Sequence, residues 1–96
     1  VLSKTRPGMA VCDAGLKVTT IESGLPVSTL PGVTYSAASD EHGTLTDPQN
    51  RLRVGDRLRL IPGHCDPTCN LHDWYAVLRG DTVETLWPVT ARGKHF

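Results

Sequence analysis

Chemically able side chains crowd into one segment of the chain, Pro62-Gly63-His64-Cys65-Asp66-Pro67-Thr68-Cys69-Asn70-Leu71-His72-Asp73. Within it His64 and Asp66 stand two residues apart in a loop bounded by prolines, so both side chains can turn toward one point. A divalent cation needs that convergence. An imidazole with a carboxylate is a borderline-to-hard donor pair that suits Mn²⁺, Co²⁺, Ni²⁺ or Mg²⁺, or Zn²⁺ at a site with positions left open for water and substrate. Two donors are too few for a structural zinc. The same residues have a plainer reading, in which Asp66 caps a short helix and His64 hydrogen-bonds a loop carbonyl. Spacing alone leaves both readings open.

Thiols offer a rival metal site. Cys65 and Cys69 with His64 and His72 contain zinc-type donors, but Cys-x₃-Cys without a second Cys pair is a weak signal. Cys12 is distant in sequence, and neighbours such as His64 and Cys65 point apart in an extended chain. The cysteines are therefore read as packing residues. Asp40, Glu41 and His42 place two carboxylates beside an imidazole at a turn tip. They are either solvated turn residues or substrate contacts in which a carboxylate fixes the imidazole tautomer. Asp13 and Lys17 flank Gly15 as an exposed pair. No phosphate-cradling glycine loop, Gly-x-Ser-x-Gly elbow or Ser-His-Asp order is present.

The elements that must position these groups read as strands. Nine Gly and seven Pro interrupt every candidate helical window. Ala10 to Asp13 and the β-branched stretch Leu16 to Ile21 flank Gly15, and Glu22 to Gly32 is a loop. Val33 to Ala37 and Thr44 to Thr46 form a hairpin across the Asp40 to Gly43 turn. Arg57 to Ile61 alternates, and Trp74 to Arg79 and Val83 to Val89 pair across Arg79-Gly80-Asp81. Asp66 before Pro67 predicts one short helix starting there. Seven or eight short strands with that helix after the His64-Asp66 loop predict an all-β fold, a small barrel or sandwich-like domain.

Composition narrows the rest. The 96 residues make one domain. Ten Lys and Arg balance ten Asp and Glu, so the electrostatic footprint of a nucleic-acid or anionic-membrane binder is missing. No apolar run is long enough to span a bilayer. Three cysteines cannot all pair within the chain, which predicts a reducing, cytoplasmic setting. The opening Val1 to Pro7 reads as the interior of a longer protein.

Four blocks in register carry a resemblance. Asp13-Ala14-Gly15-Leu16-Lys17, Ser39-Asp40-Glu41-His42-Gly43, Ile61 to Trp74, and Leu86-Trp87-Pro88-Val89-Thr90-Ala91-Arg92-Gly93 together resemble the C-terminal domain of the D-threonine aldolase and D-serine dehydratase family, which is alanine-racemase-like. The resemblance implies that residues 1–96 form a single C-terminal β domain and that pyridoxal phosphate sits in an N-terminal (β/α)₈ barrel absent from this chain. The cofactor lysine belongs to that barrel, so Lys4, Lys17 and Lys94 have no claim to the role and no catalytic residue is expected here. The family's metal pair maps onto His64 and Asp66. Family dehydratases look zinc-dependent with His-x-Cys, whereas aldolases use manganese or a similar ion with His-x-Asp; Asp66 points to the second. Implied with it are retro-aldol cleavage of a small D-3-hydroxy amino acid to glycine and an aldehyde, a homodimeric parent enzyme, and Asp13, Asp40, Glu41 and His42 as residues near substrate. A D-serine dehydratase-like lyase and a free-standing β binding module are the alternatives.

Overall fold

Small and β-branched residues alternate through Met9–Cys12, and in the computed structural model, which describes residues 1–94, this segment is strand β1 with Ala10 and Cys12 turned inward. Further strands are β2 (Val27–Ser28), β3 (Thr34–Ala38), β4 (Gly43–Thr46) and β5 (Leu60–Ile61). Helix α1 (Cys65–Cys69) follows, then β6 (Trp74–Arg79) and β7 (Thr82–Pro88). All pairings are antiparallel. They make a three-stranded sheet β1-β4-β3 and two two-stranded sheets, β2-β5 and β6-β7.

The core is centred on one rung of the first sheet, where Ala10, Leu45 and Tyr35 lie side by side. Leu45 is fully buried, and Cys12, Val33 and Leu52 complete the apolar cluster. Burying side chains of this size stabilises the fold by roughly 1.5–3 kcal/mol each. The Tyr35 ring lies where a side chain at position 43 would go, which is why Gly43 stands opposite it. Its hydroxyl donates to the Ala14 carbonyl at 2.7 Å. Buried Asp47 closes the far end by accepting from the Leu52 N–H through Oδ2 at 2.8 Å, with Asn50 in the left-handed region completing the turn.

The mainly β reading holds, with α1 the one helix among the described residues. Those residues form open sheets and no closed barrel. Two predicted strands change. Leu16 to Ile21 is a turn segment, because Gly15 packs so closely on the Ser39–His42 turn that the Leu16 and Lys17 N–H groups donate to the Ser39 and Asp40 carbonyls, each at 2.9 Å. That non-local pairing overrides the β-branched propensity of Val18 to Ile21. Arg57 to Ile61 contracts to β5, whose partner β2 comes from the stretch read as loop. The helix begins one residue before Asp66.

Candidate functional site

The loop into α1 starts with a close approach. A side chain at Gly63 would collide with the Gly24 carbonyl, so the 61–64 segment can rest on the 21–24 turn only with glycine there. His64 follows in extended backbone (φ −148°, ψ 124°) at the N-cap position and makes no side-chain cap bond. A five-residue helix does not persist by propensity, so tertiary tethers must hold it. Thr68 Oγ1 donates to the His64 carbonyl at 2.9 Å and accepts the Thr20 N–H at 3.1 Å. His72 Nε2 donates to the Val18 carbonyl at 2.7 Å. The turn that replaced the predicted strand is thus the mount on which α1 sits.

His64 is half-buried, and its Nδ1 is buried with no hydrogen-bond partner. Such an orphan costs roughly 1–3 kcal/mol until something pairs with it. Asp66 is exposed in the first turn of α1, and its Oδ1 accepts from the Cys65 thiol at 2.9 Å. Both halves of the plainer reading therefore fail: Asp66 does not cap the helix and His64 Nδ1 finds no loop carbonyl. The Asp66 hydrogen bond and negative charge push the Cys65 thiol above its ordinary value. Bonding to Cys69 likewise raises the Tyr75 hydroxyl. All three cysteines are free, but only Cys12 is buried; Cys65 is exposed and Cys69 half-buried, so the packing role expected of them holds for Cys12 alone.

Asp66 stands on the wall of a recess of about 310 Å³ shared with Cys69, Asn70, Tyr75 and Arg92. Arg92 Nε forms an ion pair with Asp73 Oδ1 at 2.8 Å, and the Gly93 N–H donates to Asn70 Oδ1 at 2.7 Å, which pins the 89–93 turn over the end of α1. Sequence reasoning passed over Thr20, Thr68, Asn70, Tyr75 and Arg92. Thr68, four residues after His64, was the one with a local signal, since a hydroxyl there can reach back to the carbonyl.

The predicted site residues separate into two groups. The blocks around Asp13 and around Asp40, Glu41 and His42 meet each other, through the backbone bonds at Gly15 and an exposed Lys17–Glu41 ion pair. Asp13 lines a different recess, of about 420 Å³, with Asp56 and Arg57. Among the described residues, no hydrogen bond or ion pair links Asp13, Asp40, Glu41 or His42 to His64 or Asp66, and no group of three or more His, Cys, Asp or Glu side chains could hold a metal. No helix among them is long and apolar enough to cross a membrane.

Residues 1–78 match the family model described as "Putative serine dehydratase domain". The chain is 55% identical, over its whole length, to 3-hydroxy-D-aspartate aldolase of Paracoccus denitrificans, and 47% identical over 97% of its length to D-threonine aldolase of an Arthrobacter species. It spans 25% of each. The crystal structure of D-threonine aldolase from Filomicrobium marinum superimposes with a TM-score of 0.92 at 46% identity, covering all of this chain and 27% of that one. With a family model matching most of its length, and α1, its mount and its recess in a fold shared with that aldolase, the chain belongs to the serine dehydratase domain family.

Proposed function

We propose that this chain is the metal-binding C-terminal β domain of a cytoplasmic, homodimeric, pyridoxal phosphate-dependent lyase that cleaves D-3-hydroxy amino acids to glycine and an aldehyde. One observation carries the reading. His64, with its buried and unpartnered Nδ1, and Asp66, with an exposed carboxylate, stand two residues apart in a chain that resembles two D-3-hydroxy-amino-acid aldolases from end to end. The pair fits a hard or borderline divalent ion, Mn²⁺ first and Co²⁺, Ni²⁺, Mg²⁺ or Zn²⁺ after it. Further donors must come from water, substrate or the (β/α)₈ barrel that this reading places N-terminal to the chain.

When bound, the metal would supply Lewis acidity toward the substrate's 3-hydroxyl and pyridoxal phosphate the electron sink for the breaking carbon–carbon bond. The chain's own residues hold and shield. Thr68 and His72 fix α1 on the 18–20 turn, so His64 and Asp66 keep one geometry. Cys65 steadies the Asp66 carboxylate by donating its thiol hydrogen bond to Oδ1. Asp13, Asp40, Glu41 and His42, remote from this pair by hydrogen bonding, are proposed to meet substrate only from the barrel side.

The family description favours a second reading, a D-serine dehydratase-like lyase in which the same site helps the 3-hydroxyl leave as water. Full-length enzyme offered D-threonine, 3-hydroxy-D-aspartate and D-serine separates the two. The aldolase reading expects glycine from the first two and no pyruvate from D-serine; pyruvate as the main product would replace it. The 96-residue chain alone, lacking the barrel, is expected to turn over none of them.

A further inference from the structure

Two free cysteines stand at the first and last positions of α1. Four residues apart on a helix, they share one face, and both open onto the recess of about 310 Å³ beside Asp66. Each thiol has a different neighbour: Cys65 Sγ donates to Asp66 Oδ1 at 2.9 Å, and Cys69 sits against the Tyr75 hydroxyl. Neither serves the core, which takes Cys12 instead. Side chains at this helical spacing hold their Cβ atoms about 5–6 Å apart, whereas a disulfide needs roughly 3.5–4.5 Å. Joining the two sulfurs therefore takes a shift of roughly 1–2 Å within α1. A helix of five residues, none of them buried, can yield that much; a long and packed helix would resist it.

We propose that Cys65 and Cys69 are a redox modification site, forming a reversible disulfide that distorts α1 and carries Asp66 out of alignment with His64. Its effect on the metal rests on the reading above; the disulfide itself does not. The oxidant is a low-molecular-weight disulfide. Cys69 attacks one of its sulfurs and one small thiol leaves; Cys65 then attacks the Cys69 sulfur and releases the second. Two cysteine S–H bonds are lost, one S–S bond is gained, and the external disulfide is reduced to two thiols that carry away the protons. Cys65 then has no hydrogen to give Asp66 Oδ1, and the carboxylate sits inside a closed loop with the two cysteines at its ends. A bond made across a spacing wider than its ideal is readily reduced, so thiols reset it. Linkage makes the effect mutual: an ion that needs the reduced geometry opposes oxidation by the same factor by which the disulfide weakens the ion.

The test treats full-length wild type with oxidised glutathione, alkylates the remaining thiols, unfolds the protein and cuts it with trypsin. Cleavage after Arg59 and Arg79 gives a peptide of residues 60–79 that holds both thiols and no other cysteine. That peptide should emerge without alkyl groups and lighter than its reduced form by two hydrogens, and dithiothreitol should restore it. Both thiols alkylated, or each carrying its own glutathione, would overturn the proposal. Mn²⁺ titrated under electron paramagnetic resonance should bind oxidised wild type at least about tenfold more weakly than reduced wild type. Untreated Cys69→Ser should match the reduced protein and, once treated, form no internal link. Affinities within about twofold in the two redox states would leave a disulfide with no switch and refute the proposed displacement of Asp66. If the reduced protein binds no Mn²⁺, the metal reading falls and amide exchange decides alone. Faster exchange across residues 66–70 in the oxidised form would support the distortion of α1; unchanged exchange would refute it.

Discussion

Every buried residue of the described chain lies at or before Leu52; from Arg53 to Lys94 none is buried. The first region closes on itself around the Ala10–Leu45–Tyr35 rung, with a buried Asp47 tying off its loop. The second holds α1, the recess and the β6-β7 hairpin. That hairpin exposes Trp74, Tyr75, Leu78, Val83, Leu86 and Trp87. Register puts Trp74, Ala76 and Leu78 opposite Pro88, Leu86 and Val83, so these pairs line up apolar residues on one face, with a register shift at Glu84 between Val77 and Leu78. The lesson is a division of labour: a scaffold stabilised by packing, and a region carrying the proposed site held to it by a few polar tethers.

That contrast can be broken at its strong end first. Leu45→Ala, at a fully buried rung position, is expected to cost about 2–5 kcal/mol in a denaturant melt. A loss under about 1 kcal/mol would mean that the first region is not the core. Thr68→Val attacks the tethers by leaving the His64 carbonyl and the Thr20 N–H without their hydroxyl partner. The expected loss is roughly 1–3 kcal/mol, and amide exchange should quicken in α1 before it does in β1, β3 and β4. Uniform exchange across both regions would contradict the division.

Tyr35 provides a pH arm. Burial, with the nearby Cys12 thiol adding to it, raises its hydroxyl above the ordinary value of 10.0. The folded state then holds this proton at pH values where the unfolded chain has lost it. Stability is complete below about pH 10 and declines as pH rises from there through the folded value. Tyr35→Phe should flatten that alkaline decline while costing about 0.5–1.5 kcal/mol at neutral pH through the lost bond to Ala14. An unchanged alkaline limb would place the decline elsewhere. Smallest of all should be Leu86→Ala in the 96-residue chain, within about 0.5 kcal/mol of the parent because Leu86 is already exposed. A cost like that of Leu45→Ala would show hidden packing in the hairpin.

What could be read from the sequence was local. β1, β3, β4, β6 and β7 follow from alternation and turn residues within a few positions, and spacing puts His64 and Asp66 near one another while leaving their role open. Leu16 to Ile21 was misread because its conformation is set by Ser39 and Asp40, more than twenty residues away. The same distance hid the recess: Asn70 and Gly93 are 23 residues apart, and nothing near Arg92 signals that its turn folds back over α1. Cys65 looked like a packing residue, yet it is exposed and bonds the carboxylate next to it.

The claim that His64 and Asp66 together hold the metal is tested most directly by counting it. Full-length wild type, His64→Ala and Asp66→Ala, each freed of metal and titrated with Mn²⁺ under electron paramagnetic resonance, should give one tight site in wild type and its loss in both variants, with pyridoxal phosphate absorbance retained in all three. Manganese bound as tightly by Asp66→Ala as by wild type would contradict the account.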